Sequence, residues 1–480
     1  MFFQRFYDTK LAQASYLIGC QRTGDAVVID PNRDVQPYLD AAEREGLRIT
    51  QVTETHIHAD FVSGARELAH RASAQLLLSD EGDADWKYAF AATDGARLLR
   101  DGDRFMAGNI QFDVWHTPGH TPEQLSFLVT DTPADAGPWG ILTGDFVFVG
   151  DVGRPDLLET AAGHAGTMEA SAHTLFRSLA RFRTLPDHVQ LWPGHGAGSA
   201  CGKALGAIPS STVGYEKRAN WALAVHDEQD FVRQVLDGQP EPPRYFAEMK
   251  RINKEGPRLL GGMPVPERLP ATALDGLLRQ HEVVVDTRAA AAFAAGFAAG
   301  SINIPLNGSF TTWAGWLLPY DRDLYLVVDE QADSGAAAAA VRDLAMIGLD
   351  RVRGVLGADA LAAWIAAGHP LATIAQATAA EASALLARGD AVVIDVRGHA
   401  EWEAGHLPQA TNIPVGYLVA HLAELPTDQP LIVHCQGGAR SAIAASVLAA
   451  HGRANVVNLA GGFLAWQQAG LPVAAPSSER

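Results

Sequence analysis

The sequence predicts an α/β protein of three domains, and three observations carry that reading. The first is an internal repeat. VVVDTR at 283–288 returns as VVIDVR at 392–397, and SINIP at 301–305 returns as ATNIP at 410–414, both at an offset of 109 residues. Such self-similarity indicates two tandem copies of one fold. The second is the pattern within each copy: apolar runs ending in Asp alternate with helical stretches, as in βαβ units. The third is length. At roughly 150 residues per domain, a chain of 480 leaves room for a larger domain ahead of the repeats.

The division that follows is one domain over 1–235, a connector over 236–262, and the two repeats over 263–372 and 373–480. The connector, LDGQPEPPRYFAEMKRINKEGPRLLGG, is rich in Pro and charge. Hydrophobic residues make up 48% of the chain, enough for a core in each domain. The formal charge is −18, from 37 basic and 55 acidic residues, which argues against nucleic acid and anionic membranes as partners. Three widely spaced cysteines, Cys20, Cys201 and Cys435, make no disulfide framework. A reducing, cytoplasmic location is expected. The start, MFFQRFYDTK, lacks the apolar core of a signal peptide. The long uncharged stretch Ala289–Tyr320 is interrupted by Asn303, Pro305 and Asn307 and is not read as a membrane span.

In the first domain SYLIGC, DAVVIDP and ITQVTETH read as strands, with Cys20 as core. The last of these runs into His56-Ile57-His58-Ala59-Asp60-Phe61, and a helix is expected from about Ser63. His120 in TPGH, Asp145 in LTGDFVF and His195 in WPGHG each sit where an apolar strand meets a Gly-containing loop. One His-x-His pair is weak evidence for a metal, whereas the ordered set is strong.

That set resembles the metallo-β-lactamase superfamily, with His-x-His-x-Asp-His followed by His, Asp and His. The resemblance implies an αββα sandwich. Phe61 departs from the pattern, because the fourth motif residue is normally a histidine that binds a second metal. A phenyl ring donates no lone pair, so a second zinc would keep Asp60, His195 and bridging Asp145 but lose a nitrogen ligand. One metal per chain is therefore expected. The segments GDVGRPDL, GHGAGSACGK and STVGYEKRAN resemble the persulfide dioxygenase branch. That likeness implies Fe(II) held by His56, His120 and Asp145, with His58, Asp60 and His195 around them. Arg154 then binds a substrate carboxylate or braces its loop through Asp151. Tyr215, Lys217 and Arg218 are candidates for an anionic thiol, or simply a solvated helix start. Cys201 lies six residues after His195, so it is placed at the pocket as a persulfide relay or a plain buried thiol.

In the last domain LIVHC reads as a buried strand ending in Cys435, followed by QGGARS and a helix. A thiol between a strand and a helix N-terminus meets backbone N–H groups that stabilise thiolate and persulfide. Gly437 and Gly438 let the loop curl, and Arg440 adds positive charge. Gln436, Ala439 and Ser441 complete the candidate binding loop. The domain resembles rhodaneses through VVIDVR, EAGHLPQATNIP, CQGGARS and NLAGGFLAW. Asp395 and Arg397 are expected as a structural pair, and Glu401 and His406 as fold-holding residues. A phosphatase loop would space Cys-x5-Arg, but here only four residues separate Cys435 from Arg440. In the middle repeat, aligning YLVVDEQADSG with LIVHCQGGARS puts Asp329 at the Cys435 position and Ser334 at that of Arg440. That copy is expected to be inactive, supplying an interface or a channel wall.

The whole pattern resembles the three-domain persulfide dioxygenase–sulfurtransferase fusion of the CstB type: a metallo-β-lactamase αββα sandwich followed by two tandem rhodanese-like α/β domains. It implies oxidation of a low-molecular-weight thiol persulfide (glutathione, coenzyme A or similar) to sulfite, with O2 as co-substrate and one Fe(II) per chain. Cys435 would pass sulfane sulfur to sulfite and give thiosulfate. A homo-oligomer, dimer or tetramer, is expected. The competing readings are a glyoxalase II-like thioester hydrolase fused to a rhodanese, and a non-enzymatic persulfide carrier or sensor.

Overall fold

Alternation of side chains sets up the N-terminal part. In Gln13–Gly19, Ala14, Tyr16 and Ile18 face one core while Leu17 faces another, the period of two that a strand buried on both faces requires. The structure is a computed structural model that describes residues 1–157, 166–203, 205–239 and 241–474. Six strands, from Phe2–Asp8 to Arg97–Leu99, lie across the first sheet in chain order. The early pairs are antiparallel, and pairing is parallel from Asp25–Ile29 onward. Six more, from Arg104–Ala107 to Ser211–Thr212, form a second sheet in the reverse order.

The two sheets share an apolar filling that includes Tyr16, Ile29, Phe112, Phe127 and Trp192. The outer face of the first is covered by helices Gln36–Arg44 and Ala65–Ala72, through Tyr38, Ala41 and Leu68. Helices Met168–Phe182 and Glu228–Leu236 cover the second, through Leu175, Leu179 and Phe231. The result is the expected αββα sandwich.

The chain divides into two compact units, 1–263 with 344–348, and 264–343 with 349–480. The segment 236–262, expected as a connector, belongs to the first unit. Its helix Phe246–Glu255 buries Phe246, Met249 and Asn253. The Asn253 amide accepts from Ser63 N (2.9 Å) and donates to the carbonyls of His58 and Phe61 (both 2.8 Å). A segment read as linker from its Pro and charge is thus a structural support of the motif loop.

In the second unit the repeats build two five-stranded sheets of one topology. The parallel strands run Glu267–Arg268, Val352–Gly357, Leu324–Val328, Val283–Asp286, Ile302–Asn303 in one copy. In the other they run Ala375–Ala377, Val456–Leu459, Leu431–His434, Val392–Asp395, Thr411–Asn412. Register corrects the alignment of the middle copy. Asp286 pairs with Val327 as Asp395 pairs with His434, so Val328 stands at the Cys435 step and Asp329 one residue later. By the same count Asp333, not Ser334, falls at the Arg440 step. Neither Val328 nor Asp329 carries a sulfur nucleophile. The copies are welded together: Phe293 and Phe297 of the middle repeat lie in one apolar cluster with Val433, Cys435 and Ile443. Asn303 N donates to Ser446 Oγ (2.9 Å). Among the described residues no helix is long and apolar enough to cross a membrane.

Candidate metal centre and sulfur-transfer loop

Four strand ends of the sandwich deliver the metal-binding candidates. Arg48–Thr53 leads to His56, Ile110–His116 to His120, Gly140–Gly144 to Asp145, and Gln190–Pro193 to His195. The ligand atoms of His56, His120 and Asp145 lie within 4.8 Å of one another, all buried. His56 Nε2 and His120 Nε2 stand 3.8 and 3.5 Å from Asp145 Oδ2, and His195 Nε2 stands 3.4 Å from Asp145 Oδ1.

Each ring is oriented by its other nitrogen. His56 Nδ1 lies 2.9 Å from Thr55 Oγ1, whose proton goes to Asp30 Oδ2, so the imidazole is the donor. His120 Nδ1 meets the Arg154 carbonyl at 2.9 Å, and His195 Nδ1 the Ala12 carbonyl at 3.1 Å. With Nδ1–H donating, each Nε2 presents a lone pair toward Asp145. Burial and the neighbouring imidazoles push His56 well below its ordinary pKa, so it stays neutral, as a ligand must. Both Asp145 oxygens, Asp60 Oδ1 and His195 Nε2 are buried without a hydrogen-bond partner. Lone pairs and carboxylate oxygens converging without a proton between them fit a cation. Gly144, with φ +51°, lets this ring of residues close: a Cβ there would lie 2.3 Å from Thr55 Oγ1.

His58 is not part of that convergence. Its Nε2 lies 3.2 Å from Asp30 Oδ1. Burial opposes its charge, but Asp30, Glu54 and Asp60 hold its pKa up at about 9. Phe61 is fully buried with its ring 4.4 Å from the His58 ring, so the fourth motif position is filled by hydrocarbon.

A second group, Asp60, His195 and Cys201, brings three further ligand atoms within 4.8 Å of one another. Cys201 therefore reaches the centre, as its spacing from His195 suggested. Burial raises its thiol pKa well above the ordinary value, and Asp145 and Asp60 add to the effect.

Arg154 corrects the sequence reading. Its guanidinium grips Asp156 (2.8 and 2.6 Å) and the Ala200 carbonyl, while Asp151 takes Lys203 N and Trp221 Nε1 instead. With the side chain 1% exposed and its donors committed, Arg154 braces the loop that holds His120 and does not face a substrate carboxylate. Tyr215, Lys217 and Arg218 lie on helix Val213–Ala219. Tyr215 is exposed, and Lys217 Nζ is held by the Leu185 carbonyl and Asp187. No described hydrogen bond or ion pair joins any of the three to His56, His120 or Asp145, so the solvated helix start is the better account. Asp30, Thr55 and Asn253 were missed as site residues. Asp30 had a signal, since DAVVIDP is an apolar strand ending in Asp; the other two had none.

At the end of Leu431–His434, Cys435 is buried, with Gly438 N 3.1 Å and Ser441 Oγ 3.5 Å from its sulfur. Gly438, at φ +101°, turns the chain into helix Ala439–Ala450. Gln436, Gly437 and Ala439 make no described hydrogen bond to the sulfur; the Gln436 side chain instead accepts from Arg397 Nη1 (3.2 Å). Arg397 forms the expected buried pair with Asp395 (2.6 Å) and lies 4.1 Å from the Phe463 ring centroid. Glu401 takes Arg440 in a fork of 2.6 and 2.7 Å, and that guanidinium holds the Glu401 carboxyl below its usual range. His406 stacks on Trp402, rings 3.9 Å apart.

Comparison with known proteins agrees with this anatomy. The metallo-beta-lactamase superfamily model matches residues 8–195, and the rhodanese-like domain model matches 378–469. A crystal structure described as a metallo-beta-lactamase from Staphylococcus aureus subsp. aureus COL is 41% identical, with a TM-score of 0.65. The match covers 74% of this chain and 98% of that one. A sulfurtransferase of Allochromatium vinosum is 37% identical over 87 residues, 18% of this chain and 81% of that protein. A beta-lactamase hydrolase-like protein of Xylella fastidiosa is 27% identical over 304 residues, 56% of this chain. The chain spans only 65% of that relative's length.

Proposed function

The chain belongs to the metallo-β-lactamase superfamily and ends in a rhodanese-like domain, and on that premise we propose that it oxidises a low-molecular-weight thiol persulfide with O2 to sulfite and transfers sulfane sulfur through Cys435 to give thiosulfate. The observation that carries the reading is the pairing of an intact His56–His120–Asp145 group with buried Phe61 in place of the histidine a second metal would use. His56, His120 and Asp145 would hold the Fe(II), which would supply the redox chemistry that zinc lacks. The chain's part is to fix the imidazoles through Thr55, the Arg154 carbonyl and the Ala12 carbonyl.

At the second site the Cys435 thiolate attacks the outer sulfur of the persulfide. The Cys435 S–S bond forms as the carrier's S–S bond breaks, and the electron pair leaves on the carrier thiolate. Sulfite then attacks the outer sulfur, giving thiosulfate and restoring the thiolate. Gly438 N and Ser441 Oγ donate to the sulfur that bears the charge. Cys435→Ser should keep O2 uptake, release sulfite and form no thiosulfate. Thiosulfate at the wild-type rate from that variant would refute the transfer step.

A second reading has an observation of its own. Asp60, His195 and Cys201 beside the first group suit a binuclear thioester hydrolase. About two zinc ions per chain, with thioester cleavage and no O2 uptake, would establish it.

A further inference from the structure

The two repeats close on the same element but enter it differently. In the last copy the chain passes through Gly461 into helix Gly462–Gln468; in the middle copy it passes through Asp359 into helix Ala360–Ala366. The helices correspond turn for turn. Trp466 Nε1 donates to the Pro472 carbonyl (2.7 Å) as Trp364 Nε1 donates to that of Pro370 (3.1 Å). Gly461 and Gly462 therefore stand where the middle copy has Asp359 and Ala360. Both glycines have positive φ, +73° and +58°, whereas Asp359 has an ordinary helical φ of −64°. Since the middle copy builds the same topology without them, the glycines answer to something other than the fold.

What they answer to is the Cys435 loop. The first amides of a helix have no partner inside it. Here Phe463 N donates to the Cys435 carbonyl (2.7 Å) and Leu464 N to the Gln436 carbonyl (3.1 Å). In a trans peptide the N–H points opposite to the C=O, so holding both carbonyls on the helix turns the next two amides away from it. The loop then curls until Gly438 N reaches the Cys435 sulfur at 3.1 Å. Gly462 permits the approach, because a Cβ on it would lie 2.3 Å from the Cys435 oxygen and 2.9 Å from the Gln436 oxygen. A Cβ on Gly461 would instead meet Ala465 of the same helix, at 2.7 Å. In the middle copy Ala360 is fully buried, and Leu361 N turns back to the Ala358 carbonyl (3.3 Å). Among the described residues no hydrogen bond joins that helix to the Val328 or Asp329 carbonyl.

We propose that Gly462 is a positioning residue for sulfur transfer: it lets helix Gly462–Gln468 grip the Cys435 and Gln436 carbonyls and so aims the loop amides at the sulfur. The middle copy lacks this grip as well as the cysteine. The proposal rests on the transferase reading of Cys435 and adds no step to it.

The test compares full-length Gly462→Ala, Gly461→Ala and Leu464→Pro with wild type. Alkylation of the Cys435 peptide by iodoacetamide is followed by mass against pH, and persulfide loading of Cys435 is followed with glutathione persulfide. Leu464 is exposed and its amide serves only the Gln436 carbonyl, so proline there removes one bond in the first turn. Gly462→Ala and Leu464→Pro should move the alkylation midpoint up by about one pH unit and slow loading at neutral pH by about tenfold, the scale of one hydrogen bond to a charged group. Gly461→Ala shares the strained turn and should keep the wild-type midpoint. A folded Gly462→Ala protein that titrates as wild type overturns the proposal, and so does an equal shift in Gly461→Ala. If Gly462→Ala does not fold, Leu464→Pro decides by the same criterion. Failure of wild type to load overturns the transferase reading, whereas the alkylation profiles still judge the grip.

Discussion

At the metal centre the decisive feature of each histidine is the partner of the nitrogen that does not face Asp145. Thr55 fixes His56, and a valine at 55 would remove the hydroxyl while keeping the shape. Outer partners of ligand histidines are worth about 10–100-fold in metal affinity, so Thr55→Val should weaken binding by that order in chelator competition. Unchanged affinity would mean the ring is held by packing alone. Phe61→His restores the absent nitrogen and should raise metal content from about one toward two per chain, with O2 uptake falling. Phe61 is also where the sequence spoke most clearly, because a substitution inside an ordered motif is visible without any structure. Arg154 shows the opposite case. Its motif was legible, but its partner was not, since Asp151 and Asp156 are both within reach along the chain and only the fold selects Asp156.

Elements explain what the residues alone could not. Strand ends deliver four of the metal candidates, and that much followed from apolar runs meeting glycine loops. The helix Phe246–Glu255 did not follow, because its Pro-rich flank and short apolar stripe look like linker until Asn253 is seen to satisfy three buried backbone groups. Each such bond nets about 1 kcal/mol, so Asn253→Ala should destabilise the first unit by about 2–3 kcal/mol in denaturant unfolding and loosen the motif loop. The register of Leu324–Val328 was also misjudged by one residue, since runs of Leu and Val slide over one another without penalty in sequence and are pinned only by pairing with Val283–Asp286. In the last repeat, Asp395→Ala would leave the buried Arg397 unpaired and should cost about 3–5 kcal/mol. Its unfolding midpoint in urea checks this.

For the molecule as a whole, the question is whether oxidation and transfer occur on one chain. Arg440 depresses the pKa of Glu401 below its ordinary 4.5, so this pair stabilises the fold above that pH and the contribution disappears as pH falls through the lowered value. Glu401 is 39% exposed, so the effect is about 1 kcal/mol or less. Stability curves of wild type and Glu401→Gln should stand apart above pH 4.5 and converge as pH falls through the lowered Glu401 value. The most direct test of the account is metal analysis of protein purified without air, followed by O2 electrode traces on adding glutathione persulfide. About one iron per chain, O2 uptake and sulfite as first product are the expected result. About two zinc ions per chain with no O2 uptake from iron-reconstituted protein would contradict it.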